Sequence, residues 1–168
     1  RAVIFADPWA EMDPGDPADP MAGVAGGGAG RASNLDKLLD AWGISVDSGN
    51  VVGDDRYALS VGGADGGPVR HLAIIGVTGD GMSQDDVITS GLNVVNMAVA
   101  GHITRAKSAA AGMTPLIQAS DKAALIPTSK LTLASDPDLL RDGFEPTGDR
   151  YTLAARLTGK VPSAFPAN

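Results

Sequence analysis

Cysteine is missing from this chain, which excludes disulfides, thiolate metal sites and cysteine nucleophiles together and leaves the redox compartment open. Aromatic residues are scarce, with two Trp, two Tyr and three Phe, so a core has to be assembled mainly from Val, Ile, Leu and Ala. Basic side chains are outnumbered, 13 against 20 acidic, and the net charge of -7 disfavours nonspecific binding to nucleic acid or anionic lipid. No apolar run approaches the ~20 residues that span a bilayer, and no segment reads as a signal peptide. Direct membrane insertion by this stretch and a nucleic-acid partner are both unexpected.

Three motifs are also missing. The Gly spacing of a phosphate loop ending in Lys-Ser or Lys-Thr does not occur, nor does the dinucleotide fingerprint, nor the Gly-x-Ser-x-Gly elbow of serine hydrolases. Gly26-Gly27-Gly28-Ala29-Gly30 precedes a helix but has no Lys to hold a phosphate, and reads as loop flexibility. Asp13, Asp16 and Asp19 lack calcium-loop spacing. No cofactor and no metal are expected.

The 168 residues suit one domain, 1–168, of α/β class with a flexible Pro/Gly-rich insertion at about 8–32. Ala2 to Ala6 is apolar throughout and stopped by Asp7-Pro8, the pattern of a strand buried on both faces of a parallel sheet. Leu35, Leu38, Leu39 and Trp42 form one helical stripe, with Ser33 as cap, Asp36 at the capping-box position and Gly43 as left-handed stop. Short strands follow at Ile44–Val46 and Val51-Val52. Tyr57 to Val61 and Val69 to Val77, separated by Ala64-Asp65-Gly66-Gly67-Pro68, predict a hairpin. Ser83 to Asp86 reads as a polar turn and Val87 to Leu92 as a tight connection. Further strands are expected at Val94 to Val99, Met113 to Gln118, Ala123 to Ile126 and Tyr151 to Leu157, with a short helix opened by Asp136-Pro137 and closed at Gly143.

Candidate ligand- or partner-contacting residues are few. Only His71 and His102 offer an imidazole; His71 lies inside an apolar strand, so His102, at a strand end beside Gly101, is the better base. Its hydroxyl partners would be Thr89 or Ser90, whose default role is to cap backbone donors. Trp9 and Tyr57 are candidate stacking platforms, whereas the spacing of Trp42 places it in the core. Asp54-Asp55 and Asp85-Asp86 read as solvated loop or cap carboxylates. Arg150 and Arg156 fall on one face of the last strand, where a carboxylate ligand competes with an ordinary salt bridge.

The landmarks taken in order resemble one family. Val3-Ile4-Phe5-Ala6-Asp7-Pro8, a variable Pro/Gly insertion, Ser33 to Ile44, Val51-Val52-Gly53-Asp54, Asp86 to Leu92, Thr114 to Ser120, Phe144-Glu145-Pro146-Thr147-Gly148, Arg150 to Gly159 and Ser163-Ala164-Phe165-Pro166 are similar to the GldG-like auxiliary components of ABC transport systems associated with gliding motility. That resemblance implies a mixed sheet flanked by helices, of GIFT/glutamine-amidotransferase-like (flavodoxin-like) type. It also implies a location on the periplasmic, extracytoplasmic face of the inner membrane, with anchoring segments outside this fragment. Relatives start earlier than Arg1, so the fold is expected to be truncated at the N-terminus. Implied partners are permease or ATPase subunits or a sister auxiliary protein, and an open sheet edge implies a homo-oligomer. Class I amidotransferases, enzymatic cousins of the fold, depend on a cysteine that this chain lacks, so the resemblance carries no chemistry. The expected function is non-catalytic binding or scaffolding, with a hydrolase or a carbohydrate- or small-ligand-binding domain as the alternative.

Overall fold

The computed structural model describes residues 2–10, 32–33, 35–63, 66–109, 111–133 and 136–165. The chain starts with α1 (Asp36–Trp42), β1 (Ile44–Val46), β2 (Asn50–Asp54), β3 (Ala58–Gly62), β4 (Pro68–Thr78) and β5 (Val94–Ala98). It continues with β6 (Ile103–Arg105), β7 (Gly112–Gln118), β8 (Ala123–Pro127), α2 (Thr128–Leu133) and β9 (Thr152–Thr158). Helical turns of the 3-10 type sit at Gly79–Gly81 and Pro137–Arg141. The architecture mixes helices and strands and is rich in strands. Its sheets are small and open, with orders β3-β4-β5, β2-β8, β7-β9 and β1-β6, and every pairing of these strands is antiparallel.

β2 separates two clusters of apolar side chains. Successive residues of a strand point to opposite faces, so Val51 joins Trp9, Leu72, Ala73, Ile126 and Leu140, while Val52 joins Tyr57, Ile75, Val77, Met82, Leu116 and Leu153. Both valines are fully buried, which is why this strand reads as apolar without alternation. β4 serves the same two clusters. Its register with β3 jumps from Ala58 opposite Ile75 to Leu59 opposite His71, and the extra residues redirect Leu72 and Ala73 to one cluster while Ile75 and Val77 stay in the other.

The hairpin, the strands β5, β7, β8 and β9 and the Asp136 cap fall where the sequence places them. Asp136 accepts the Asp138 amide at 3.0 Å, and Pro137 opens the turn. Gly43 stops α1 at φ 71°, its N–H donating to the Asp40 carbonyl at 2.9 Å. The first residues differ. Ala2 to Ala6 forms no strand, and Val3 and Phe5 are 82% and 87% exposed, because among the described residues no strand lies alongside to take up their backbone groups.

Ser33 does not cap α1 either. Leu35 holds that position without a side-chain bond, and Ser33 instead pins Asp7, accepting its amide at 2.9 Å and donating its own amide to the Asp7 carbonyl at 2.8 Å. Most of the expected insertion, including the Asp13, Asp16, Asp19 and Gly26–Gly30 motifs, lies outside the described residues. Its opening residues do pack, since Trp9 is 7% exposed. Trp42 is half-buried, its indole N–H donating to the Pro162 carbonyl at 3.3 Å.

Candidate functional site

Asp54 ends β2 inside the protein. Its Oδ1 accepts the amides of Arg56 at 2.9 Å and Tyr57 at 3.1 Å and the Ser120 hydroxyl at 2.7 Å, while Oδ2 accepts the Ser120 amide at 2.6 Å. Four donors replace the water that a solvated carboxylate would keep, which corrects the expectation of an exposed loop acid. Asp55, next in sequence, follows that expectation and pairs at the surface with Arg141 at 3.2 Å.

The turn that Asp54 organises aims Tyr57 at the 3-10 turn after β4. The phenol donates to Asp80 Oδ1 at 2.8 Å, Thr78 Oγ1 donates to the same oxygen at 3.1 Å, and Arg56 forms an ion pair with Oδ2. Arg150 closes the cluster through main-chain oxygens, from Nη2 to Asp80 at 2.8 Å and from Nε to Ala119 at 3.2 Å. Burial first, then the bond to Asp80 and its charge, push the Tyr57 phenol up to about 12. The Tyr57 hydrogen bond first, with smaller help from Thr78 and Arg56 against the cost of desolvation, holds the Asp80 carboxyl below its usual value. Tyr57 is 5% exposed and Trp9 is buried in the other cluster, so neither ring presents a face for stacking.

Thr89, Ser90 and Arg156 meet at a further acidic residue. Asp86, also expected in solvent, is 4% exposed: its carbonyl accepts the amides of Thr89 and Ser90 at 3.0 and 2.8 Å, and its Oδ1 accepts that of Ile88 at 3.0 Å. Arg156 Nη1 stands 2.8 Å from Oδ2 as an ion pair, although Oδ2 receives no well-aligned hydrogen bond. The Thr89 hydroxyl donates to the Ser83 carbonyl at 2.7 Å, while the Ser90 side chain is exposed. Arg150 and Arg156 are thus both engaged, one with carbonyls and one with a buried acid.

His102 is joined to neither hydroxyl. Its ring meets Tyr151 edge-on, centroids 5.2 Å apart, and its Nδ1 is buried without a hydrogen-bond partner. Tyr151 in turn pairs with the Thr147 hydroxyl at 2.9 Å and borders an open depression of about 400 Å³ together with Leu125, Lys130, Phe144 and Glu145. His71, by contrast, accepts the Ala73 amide on Nδ1 at 3.2 Å. No group of acidic or imidazole side chains among the described residues could hold a metal ion.

Sequence reasoning passed over Ser120, Asp80 and the buried states of Asp54 and Asp86. Asp54 and Asp86 each bind the amide two residues on, but Asp7, Asp47 and Asp136 do so outside the core, so this local pattern carries no mark of burial. The accessible features are of another kind: apolar side chains of Val3, Phe5, Val87, Ile88 and Val94 lie 52–88% exposed. No described helix is long and apolar enough to cross a membrane.

A family model described as ABC-type uncharacterized transport system matches residues 1–168. No curated protein and no solved structure matches the chain.

Proposed function

The chain belongs to the family described as ABC-type uncharacterized transport system, as an auxiliary component of such a system, and we propose that it serves there as a non-catalytic binding and scaffolding domain on the extracytoplasmic face. One observation carries the reading. The polar side chains best suited to chemistry, Asp54, Asp80, Thr89, Arg150 and Arg156, are occupied in holding the fold, while apolar side chains stand at the surface. Shape and adhesion are what such a surface offers. The gliding-motility branch and the GIFT/glutamine-amidotransferase-like (flavodoxin-like) relationship belong to the same proposal.

The test is capture from detergent-solubilised membranes after crosslinking in cells. Permease, ATPase or a sister auxiliary protein should be recovered with the wild-type chain, and recovery of none, together with unaltered export in a deletion strain, would sink the proposal. Because the chain has no cysteine, Ser90→Cys supplies a single reporter of location. A membrane-impermeant maleimide should label it in intact cells if the domain faces outward, and only after lysis if it faces inward. Loss of surface movement in the deletion strain tests the motility branch.

The depression bordered by Tyr151, Lys130 and Glu145, with His102 in edge-on contact with Tyr151 and its Nδ1 buried without a hydrogen-bond partner, favours a second reading, small-ligand binding to a sugar or peptide. Chemical-shift changes at His102 on titration with short peptides or oligosaccharides would support it, and an unmoved imidazole spectrum would remove it.

A further inference from the structure

β5 ends its sheet, and its free edge is self-complementary. The Val99 amide donates to the Ala73 carbonyl at 2.8 Å, and alternation along the ladder with β4 then turns the backbone groups of Val95 and Met97 inward. The amides and carbonyls of Val94, Asn96 and Ala98 therefore face outward, with no strand beside them among the described residues. The side chains of the same three residues are exposed on one face. Natural edge strands are guarded by charge, proline or a covering segment. No Asp, Glu, Lys, Arg or Pro occurs from Val87 to Gly101, and among the described residues Val94, Asn96 and Ala98 stand exposed. The opposite edge is different, because the Arg70 guanidinium donates to the carbonyls of Arg56 and Ala58 at 3.3 Å where β3 begins.

We propose that β5 pairs antiparallel with β5 of a second copy of this chain about a two-fold axis at Asn96, joining two three-stranded sheets into one of six. In that register Asn96 exchanges both backbone hydrogen bonds with its counterpart, Val94 lies opposite Ala98, and Val95 opposite Met97, so apolar groups face apolar groups and no like charges meet. The two amide side chains stand side by side, each able to donate and accept. A second copy fits better than an unrelated chain because a two-fold axis presents each edge with a partner of the same length and neutrality and closes the assembly, with both β5 edges paired. Five residues of edge alone fall short of the ~1,600 Å² usual for a stable complex, and the exposed Val87, Ile88 and Leu92 just before β5 supply additional apolar area. The pairing is independent of the transport role.

Sedimentation velocity of the full chain, with mass followed from about 1 to 100 μM, tests it, since weak complexes dissociate over such a span. The wild-type chain should pass from monomer to dimer. Asn96→Asp sets two carboxylates against each other and should weaken dimerisation at least about tenfold at neutral pH, with recovery as the pH falls through about 4. Val94→Lys should do the same without recovery. Phe5→Asp, on the other apolar segment, should leave the dimer intact, and thermal melting checks that each variant is folded. A chain that stays monomeric throughout overturns the proposal, as does a dimer indifferent to Val94→Lys and Asn96→Asp.

Discussion

Asp54 and Ser120, sixty-six residues apart, are held by two hydrogen bonds, the Ser120 amide to Oδ2 at 2.6 Å and its hydroxyl to Oδ1 at 2.7 Å. This clamp fastens the end of β2 to the connection between β7 and β8, beside a bond from the Asp55 amide to the Lys122 carbonyl at 3.1 Å. Asp54→Ala would orphan the donors of Arg56, Tyr57 and Ser120 in a site that water does not reach. It should cost about 3 kcal/mol or more, against about 1 kcal/mol for Ser120→Ala, which keeps the Arg56, Tyr57 and Ser120 amides on Asp54 and releases, besides the hydroxyl bond, only that of the part-buried Lys122 amide. Urea denaturation of both variants and the double variant measures the costs, and a sum below additivity identifies the shared bonds.

Tyr57 and Asp80 set opposite ends of a pH profile. The Tyr57 phenol is raised above its unfolded value, so its contribution is complete below pH ~10 and lost as the pH rises through about 12. Asp80 is lowered, so its contribution is complete above its unfolded value near 3.8 and lost as the pH falls through the folded one. In a Tyr151→Phe background, where Tyr57 is the remaining tyrosine, ultraviolet titration should show ionisation near 12. Asp80→Asn removes a hydrogen-bond acceptor and a negative charge and should bring that midpoint down.

The elements legible in the sequence are those whose cause is local. Gly43 stops α1, Asp136-Pro137 opens the last 3-10 turn, and Gly66-Gly67-Pro68 marks the hairpin, each through the conformational preference of residues at the spot. What the sequence hides is decided by distant partners. Asp54 and Asp55 are indistinguishable as letters, yet Ser120 buries one and Arg141 meets the other at the surface. Trp9 and Tyr57 look equally free to stack, and only the side chains of other strands show that each fills a core cluster. Ala2–Ala6 misleads in reverse, because an apolar run specifies a strand only where a neighbouring strand exists to receive it.

Arg156 faces a buried acid from a half-exposed position, its side chain 44% exposed against 3% for Asp86. Arg156→Ala leaves that carboxylate without its counter-charge. The cost should be about 1–2 kcal/mol, below that of breaking a fully buried pair because solvent already screens the guanidinium. Arg156→Lys should recover only part, since a compact ammonium on a different stem does not reproduce the guanidinium geometry. Thermal melts of the two variants and the wild type at neutral pH order these effects, and variants that melt with the wild type would mean that the Ile88 amide alone satisfies Asp86.

Val3 and Phe5 separate stability from adhesion. Both side chains are exposed and belong to neither core cluster, and among the described residues the segment is anchored behind them, where Ser33 holds Asp7 and Trp9 enters the core. Replacing both with Ser removes no packing, so the midpoint of unfolding should stay within about 0.5 kcal/mol of the wild type. If this segment contributes to holding transporter subunits, the same replacement should reduce their recovery from crosslinked membranes. A variant that unfolds early would instead show that Val3 and Phe5 pack within this chain, and one that keeps both its stability and its partners would shift the contact surface to Val87, Ile88 and the other apolar side chains before β5.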